Sequence, residues 1–387
     1  MENAAVIVSR ARTPIGSFQG NLSGLSAPKL GAVAIQAALQ RAGVSPGDVN
    51  EVIMGEVLTA GVGQAPARQA SIFAGIPTSV PCTTVNKVCG SGLKAIMMAR
   101  QSIQLGEANV CVAGGMESMS NAPYLLPTFR KGARMGDQTA IDSMFADGLL
   151  DPYSSSLMGV FAEQCVSKYH FSREAQDAYA RESYKRALAA QKAGYFANEI
   201  APVQTDRSVD EDEEPARFSP EKISLLKPVF SKDGTVTAAN ASKIDDAAAA
   251  VIVMSEGEAK RRGLKPLAKI VSTATFAQDP AWFTTAPVGA IQLALKRAGM
   301  SVSDVDLFEI NEAFAAVAMA AMQELNLSHD KVNVWGGAIS LGHPLGCSGA
   351  RIVVTLLSAM EERGVRVGCA AVCLGGGEAV AMVLSRD

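Results

Sequence analysis

The sequence predicts an α/β protein built from two copies of one half-domain, with a long segment inserted into the first copy. The main observation is a repeat. Residues 34–49, AIQAALQRAGVSPGDV, return as residues 290–305, AIQLALKRAGMSVSDV, identical at eleven of sixteen positions at an offset of 256. Self-similarity at one fixed offset marks a duplicated structural unit. The second observation is alternation: short apolar runs (5–9, 51–54, 268–272) are separated by longer stretches of helical period. That is the pattern of strands covered by helices on both faces. The third is length, since 387 residues exceed what one compact core usually holds, and two or three domains are expected.

The copies stay in register beyond the repeat. Met54-Gly55-Glu56 faces Ile310-Asn311-Glu312, and Ser91-Gly92 faces Ser348-Gly349, each opening a helix-like run. Each copy then gives an apolar strand and a glycine turn, at 110–115 and at 371–377. Residues 247–255, AAAAVIVMS, resemble 377–385, GEAVAMVLS, and are read as the last strand of each half. In the first copy a long stretch separates the turn at Gly114-Gly115 from that strand. Residues 119–245 are therefore read as an insertion. The first half-domain is 1–118 with 246–266, and the second is 267–387. Within the insertion, Ser172-Arg173-Glu174 starts a helix whose apolar stripe runs to a stop at Gly194. The acidic run 210–214 reads as a solvated loop. Two such halves packed together put their equivalent loops around a pseudo-dyad, where a ligand site is expected.

Composition narrows the class. With 48% hydrophobic residues and a net charge of -3, the chain fits a soluble globular protein. It lacks the basic surplus that neutralises phosphates, so no nucleic-acid partner is expected. The wholly apolar run 247–254 is too short to span a bilayer, and no membrane partner is expected. Met1-Glu2-Asn3 leads into a short apolar run without a basic start, unlike a secretory signal. Seven cysteines with no CxxC pair read as reduced thiols in a cytoplasmic protein without structural zinc.

Three side chains stand out chemically. Cys89, in Val88-Cys89-Gly90-Ser91-Gly92, sits where a loop turns into a helix. Unpaired amides and the helix dipole there favour a thiolate and lower the thiol pKa. A buried, inert cysteine is the alternative, and this segment alone leaves both readings standing. Among three histidines, His170 and His329 lie in polar surroundings and read as surface residues. His343 lies in a glycine-rich turn before the second-half helix, the counterpart of the Cys89 loop. A cysteine and a histidine on symmetry-related loops suit a nucleophile–base pair, with a structural histidine as the alternative. Cys373 ends a strand before three glycines, where a thiol can act as acid or base beside backbone donors. A buried strand-end cysteine is the commoner case, as assumed for Cys111 and Cys369.

Together these segments resemble the thiolase family along nearly the whole chain. The resemblance is carried by Val88-Cys89-Gly90-Ser91-Gly92, Asn311-Glu312-Ala313-Phe314, Gly342-His343-Pro344 and Cys373-Leu374-Gly375-Gly376. Any one motif is weak; four in order and at the right spacing are specific. The resemblance implies a duplicated, five-layered αβαβα fold with an inserted loop domain for coenzyme A binding and oligomer contacts. It also implies a homotetramer, a dimer of dimers, acting on acyl-CoA, with coenzyme A as substrate and product and no tightly bound cofactor. The implied reaction is the reversible Claisen condensation of two acetyl-CoA to acetoacetyl-CoA plus CoA.

The implied roles follow residue by residue. Cys89 takes the acyl group, and His343 activates it. His343 and a water held by Asn311 form one oxyanion site, and the amides of Cys89 and Gly375 form the other. Cys373 removes the α-proton of the second acetyl-CoA. Ser242 is expected near pantetheine and Arg217 near the adenosine phosphates, with Met158 and Phe283 beside the acyl pocket. A potassium ion is implied at Tyr184 and the carbonyls of Ala238, Ala239, Ala241 and Ile339, which suit a hard cation; simple packing of Tyr184 is the alternative.

Some positions depart from the family pattern. Leu157 stands where acetyl-specific members carry His, Trp335 where Asn is usual, and Lys243-Ile244-Asp245-Asp246-Ala247 replaces a commoner small-residue pattern. An apolar wall at Leu157 is expected to contact extra methylenes, each worth roughly 0.8 kcal/mol when buried, whereas the direction of the Trp335 ring is left open. The rival readings are a degradative 3-ketoacyl-CoA thiolase for longer chains and a silent CoA-binding subunit. Ketoacyl synthases share the fold but pair their cysteine with other motifs.

Overall fold

The computed structural model describes residues 4–386, so the reading of the chain start at Met1-Glu2-Asn3 lies outside the described residues. The first half contributes strands β1 (Ala5–Arg12), β2 (Glu51–Gly55), β3 (Cys82–Val85), β4 (Val110–Ser118) and β5 (Asp245–Ser255). The second contributes β6 (Ala268–Ala277), β7 (Leu307–Ile310), β8 (Val367–Leu374) and β9 (Glu378–Ser385). They form one sheet in the order β7-β8-β9-β6-β1-β5-β4-β2-β3. The halves join where Val6 and Ile7 pair antiparallel with Lys269 and Ala268. Outward from this seam the order repeats: β5, β4 and β2 on one side match β9, β8 and β7 on the other. The pairs β2–β4 and β7–β8 are parallel, and β4–β5 and β8–β9 are antiparallel.

The helices are α1 (Ala27–Ala42), α2 (Pro66–Phe73), α3 (Ser91–Leu105), α4 (Met158–Tyr169), α5 (Arg173–Lys192), α6 (Ala286–Ala298), α7 (Ala315–Leu325) and α8 (Leu345–Glu362). The repeat noticed in the sequence is α1 and α6 with their caps. Both helices end at a glycine in the left-handed region, Gly43 at φ 62° and Gly299 at φ 68°, a conformation that favours glycine. Side-chain alternation fixes the layers. Along β5, Ala247, Ala249, Val251 and Val253 enter a central core, while Ala248, Ala250, Ile252 and Met254 enter an outer core beneath α1 and α2. Along β9, Val380, Met382 and Leu384 face the same central core, and Ala379, Ala381 and Val383 face a second outer core beneath α6. Helices α3 and α8 fill the middle, and α8 is buried from Leu345 to Met360, as expected of a helix with protein on every side. The result is five layers, αβαβα.

The equivalent hairpins differ. In the second half β8 and β9 are joined through Gly375-Gly376-Gly377. In the first half their counterparts, β4 and β5, pair along their length although residues 119–244 intervene. That stretch holds α4 and α5. Ser172 caps α5 by accepting a hydrogen bond from the Ala175 amide, a contact worth about 1 kcal/mol.

Three sequence readings are corrected. Gly114-Gly115 is not a turn but lies inside β4: a Cβ on Gly114 would overlap Ala249 O, and one on Gly115 would overlap Gly346 O. The acidic run is not simply solvated. Asp212 is buried against Arg12 at 2.6 Å, with Glu199 on the other side of the guanidinium, and Glu213 accepts from the amides of Ser17 and Asn21. This run docks the intervening stretch onto β1. Finally, His329 is half-buried and stacks on Tyr179 at 4.8 Å. Among the described residues no helix is long and apolar enough to cross a membrane.

Candidate active site

Cys89 lies two residues before α3. Val88, just before it, has φ 46°, a region that β-branched residues avoid at a cost on the order of 1–3 kcal/mol. Several bonds hold the strain. Ser91 Oγ accepts from Lys87 N at 2.8 Å and donates to Val88 O at 2.6 Å, and Asn86 Oδ1 accepts from Val88 N. Lys87 also pairs with Glu378 of the second half. The thiol is therefore presented from a clamped loop. Burial pushes it up to about 12, and two amides, its own and that of Gly375, pull it back. The sequence expectation of a lowered thiol pKa is thus overturned: desolvation outweighs the donors at the helix start.

His343 sits on the matching loop, before α8. Its amide donates to Asp245 Oδ2 at 2.8 Å, and its Nδ1 lies 2.6 Å from Ser348 Oγ. Ser348 donates its one hydroxyl proton to Pro344 O at 2.8 Å. The hydroxyl must then accept from Nδ1–H, which leaves Nε2 as the free acceptor. Burial and the neighbouring Arg351 push the imidazole down to about 3, so the ring is neutral in the resting site. Asn311 Nδ2 lies 3.4 Å from each ring nitrogen, and its Oδ1 is buried with no protein partner.

Cys373 ends β8 and is buried. Its thiol is held well above the usual range, first by burial and then by the charge of Cys89, which places the two sulfurs in one electrostatic environment. Glycine lets these loops converge. A Cβ on Gly92 of α3 would stand 2.7 Å from Ala350 N of α8, and one on Gly349 would overlap Leu93 N. The two central helices thus meet at their first turns, and their loops meet with them.

An apolar channel of about 270 Å³ opens beside His343, lined also by Leu157, Met158, Ser242, Lys243 and Phe314. A second cavity of about 570 Å³ lies over Asn86, Val88, Gly375 and Gly376 and shares Met158 with the first. Phe283 packs edge-on against Phe161 and Phe314 in the apolar cluster that holds Cys373 and Met158. Trp335 points elsewhere, stacked on Tyr195 at 5.0 Å within the central core.

Comparison with known proteins agrees over the full length. The family model of the thiolase N-terminal domain matches residues 5–257, and that of the thiolase C-terminal domain matches 264–386. The chain belongs to the thiolase family. It is 51% identical over 385 residues to the cytosolic acetyl-CoA acetyltransferase of Gibberella zeae, covering 98% of this chain and 97% of that one. It is 50% identical over 389 residues to the acetyl-CoA acetyltransferase of Pseudomonas aeruginosa, covering 99% of each. A thiolase from Ascaris suum, crystallised in complex with coenzyme A, matches with a TM-score of 0.96 at 45% identity, covering 99% of this chain and all of that one.

Arg217, expected near the adenosine phosphates, lies outside the channel. It pairs with Glu214 at 3.2 Å and faces a separate, acid-rich cavity with Asp210, Glu211 and Glu213. The potassium site is corrected. The carbonyls of Ala238, Ala241 and Ile339 do converge beside Tyr184, but on the Lys243 ammonium, and Ala239 O is not among its partners. The half-buried Lys243 already supplies a cation there, so these residues do not fit a metal ion.

Sequence reasoning missed three supporting residues. Ser348 fixes the imidazole, Asp245 holds the His343 amide, and Glu117 accepts from the amides of Val57, Leu58 and Gly346 across the two halves. Only Ser348 left a signal, as the repeat partner of Ser91.

Proposed function

We propose that this thiolase is an acetyl-CoA C-acetyltransferase that condenses two acetyl-CoA to acetoacetyl-CoA plus CoA through an acyl-Cys89 intermediate. The observation that carries the mechanism is that Cys89 and His343 stand on equivalent loops before two helices that meet at their first turns, with the amides of Cys89 and Gly375 acting on the Cys89 thiol.

In the first half-reaction, His343 Nε2 takes the Cys89 proton as sulfur attacks the thioester carbonyl. The bond to the CoA sulfur breaks, and the departing thiolate takes the proton back from the imidazole. In the second, Cys373 passes its thiol proton to the His343 imidazole, and the resulting thiolate removes the α-proton of another acetyl-CoA. The carbanion attacks the acyl-enzyme, the bond to Cys89 breaks, and that sulfur leaves as thiolate and takes the proton back from the imidazolium. Amide donors aimed at the developing oxyanion supply the main stabilisation. The water held by Asn311 Oδ1 and the Nε2–H of the His343 imidazolium donate to the enolate oxygen. The raised thiols and the lowered imidazole keep the resting site neutral, so the proton moves only as the sulfur–carbon bond forms, and a sulfur that resists ionisation is a strong base once ionised.

Pantetheine lies in the channel past Ser242, Leu157 and Met158. Residues 119–245 act as the CoA-binding and oligomer-forming loop domain. Exposed apolar side chains there, including Tyr124, Phe129 and Met135, support a homotetramer. A cytosolic relative and seven free cysteines support a cytoplasmic location.

The apolar wall at Leu157 favours a second reading, in which longer 3-ketoacyl-CoA are also cleaved. Thiolysis rates across a chain-length series decide between them. Acetoacetyl-CoA is expected to be the best substrate, with activity falling as methylenes are added. A maximum at longer chains would establish the degradative activity instead, and no thiolysis at any length would overturn the enzyme reading.

A further inference from the structure

We propose that the Lys243 ammonium is a built-in cation that ties the channel loop carrying Ser242 to the catalytic loop carrying His343, so that this chain works without an alkali ion. Its Nζ donates to Ala238 O and Ala241 O at 2.8 Å each and to Ile339 O at 3.3 Å. Ala241 directly precedes Ser242, and Ala238 lies four residues before it. The third belongs to the short helix Ala338–Leu341, which runs into Gly342-His343. The ammonium also lies 5.8 Å from the ring centroid of Tyr184, within the range where a π face attracts a cation.

Acidic groups surround it. Burial pulls the Lys243 ammonium below the ordinary lysine range, and Glu214, Asp245 and Glu312 act against that and favour the charged form. Two of these carboxylates touch the catalytic strip themselves: Asp245 accepts from His343 N, and Glu312 accepts from Ile339 N at 3.1 Å. Without the ammonium, three carbonyls lose their shared donor and buried carboxylates lose their counter-charge. Those are the groups that fix where His343 stands. Lys243 also lines the channel, so it acts on substrate binding and on imidazole position together, as a positioning residue rather than as a reacting group. Backbone carbonyls grouped around one charge would hold potassium equally well once the lysine is shortened.

The proposal rests on the thiolase reading only for its kinetic arm. Full-length wild type is compared in potassium and sodium chloride at fixed ionic strength, together with Lys243→Ala and Lys243→Met. Wild type is expected to show the same thiolysis rate and Tm in both salts. Lys243→Ala in sodium is expected to raise KM for acetoacetyl-CoA about 10-fold, the scale of losing a hydrogen bond from a charged donor, and to lower Tm. Potassium or ammonium ions restore both in part. Lys243→Met, which fills the space without charge, is expected to be impaired and not restored. Potassium activation of the wild type would overturn the proposal, as would a Met variant that matches wild type, or an Ala variant that no cation restores. If the Ala variant does not fold, the wild-type salt comparison and the Met variant still decide. A wild type with no thiolysis in either salt would count against the thiolase reading, while the Tm measurements would still test the cation.

Discussion

At the end of β2 the first half has Gly55-Glu56, and at the end of β7 the second has Asn311-Glu312. The strands are equivalent, and the glutamates are both fully buried, yet their surroundings differ. Glu312 accepts from Tyr179 Oη, Ser183 Oγ, Asn333 Nδ2 and the Ile339 amide. Neither oxygen of Glu56 has a partner, and burial with the nearby Glu117 charge pushes it up to about 9. Gly55 has no room for a side chain, because a Cβ would stand 2.5 Å from the Ser91 carbonyl carbon, whereas Asn311 reaches the imidazole. The serines that open α3 and α8 do the same local work, but one braces a cysteine loop and the other a histidine. Duplication supplied two rigid scaffolds. In the proposed mechanism the tasks are divided, with the nucleophile on the first half and the proton-handling groups on the second.

That division is tested most strongly at Cys373. Cys373→Ser replaces the thiol with a far weaker acid and leaves Cys89 and His343 in place. Condensation is expected to fall at least ~100-fold, the scale of losing a general acid or base, while acetyl transfer from acetyl-CoA to the enzyme continues. Equal loss of both half-reactions in stopped-flow assays would mean that the task is shared rather than divided.

The glutamates come next. Glu312→Ala strands four buried donors and is expected to cost on the order of 3–5 kcal/mol in urea unfolding. Glu56→Gln, which removes no hydrogen bond, is expected to cost much less at neutral pH. Similar costs for the two would show that the equivalent positions are also energetically equivalent.

The smallest effect is in pH dependence. Glu56 holds its proton in the folded state up to about 9, against 4.5 for an ordinary glutamate. Its contribution to stability is therefore complete below 4.5 and is lost as pH rises through about 9. Glu56→Gln cannot ionise and is expected to flatten the alkaline decline in Tm. An unchanged slope would assign that decline to other groups, such as Glu117, held at about 7.

How much was legible in the sequence follows from where the information lies. The halves were readable because α1 and α6 kept their identities along with their glycine caps. Cys89, His343 and Cys373 were readable as side chains of rare type at equivalent loop ends. The Lys243 contacts were not, since its partners are main-chain carbonyls, one of them 96 residues away. The thiol pKa was misjudged because the donors of a helix start are visible in sequence and the desolvation of the site is not. Gly114-Gly115 looked like a turn because glycine serves turns and close strand packing alike. Where Trp335 points depended on Tyr195 and Phe196, which no local pattern linked to it.

The direct test of the divided site is to incubate the wild-type enzyme with labelled acetyl-CoA, quench in acid and map the peptides. One acetyl group per chain on the Cys89 peptide, lost in Cys89→Ala and retained in Cys373→Ser, is the expected result. Label on Cys373, or on any peptide other than that of Cys89, would contradict the account.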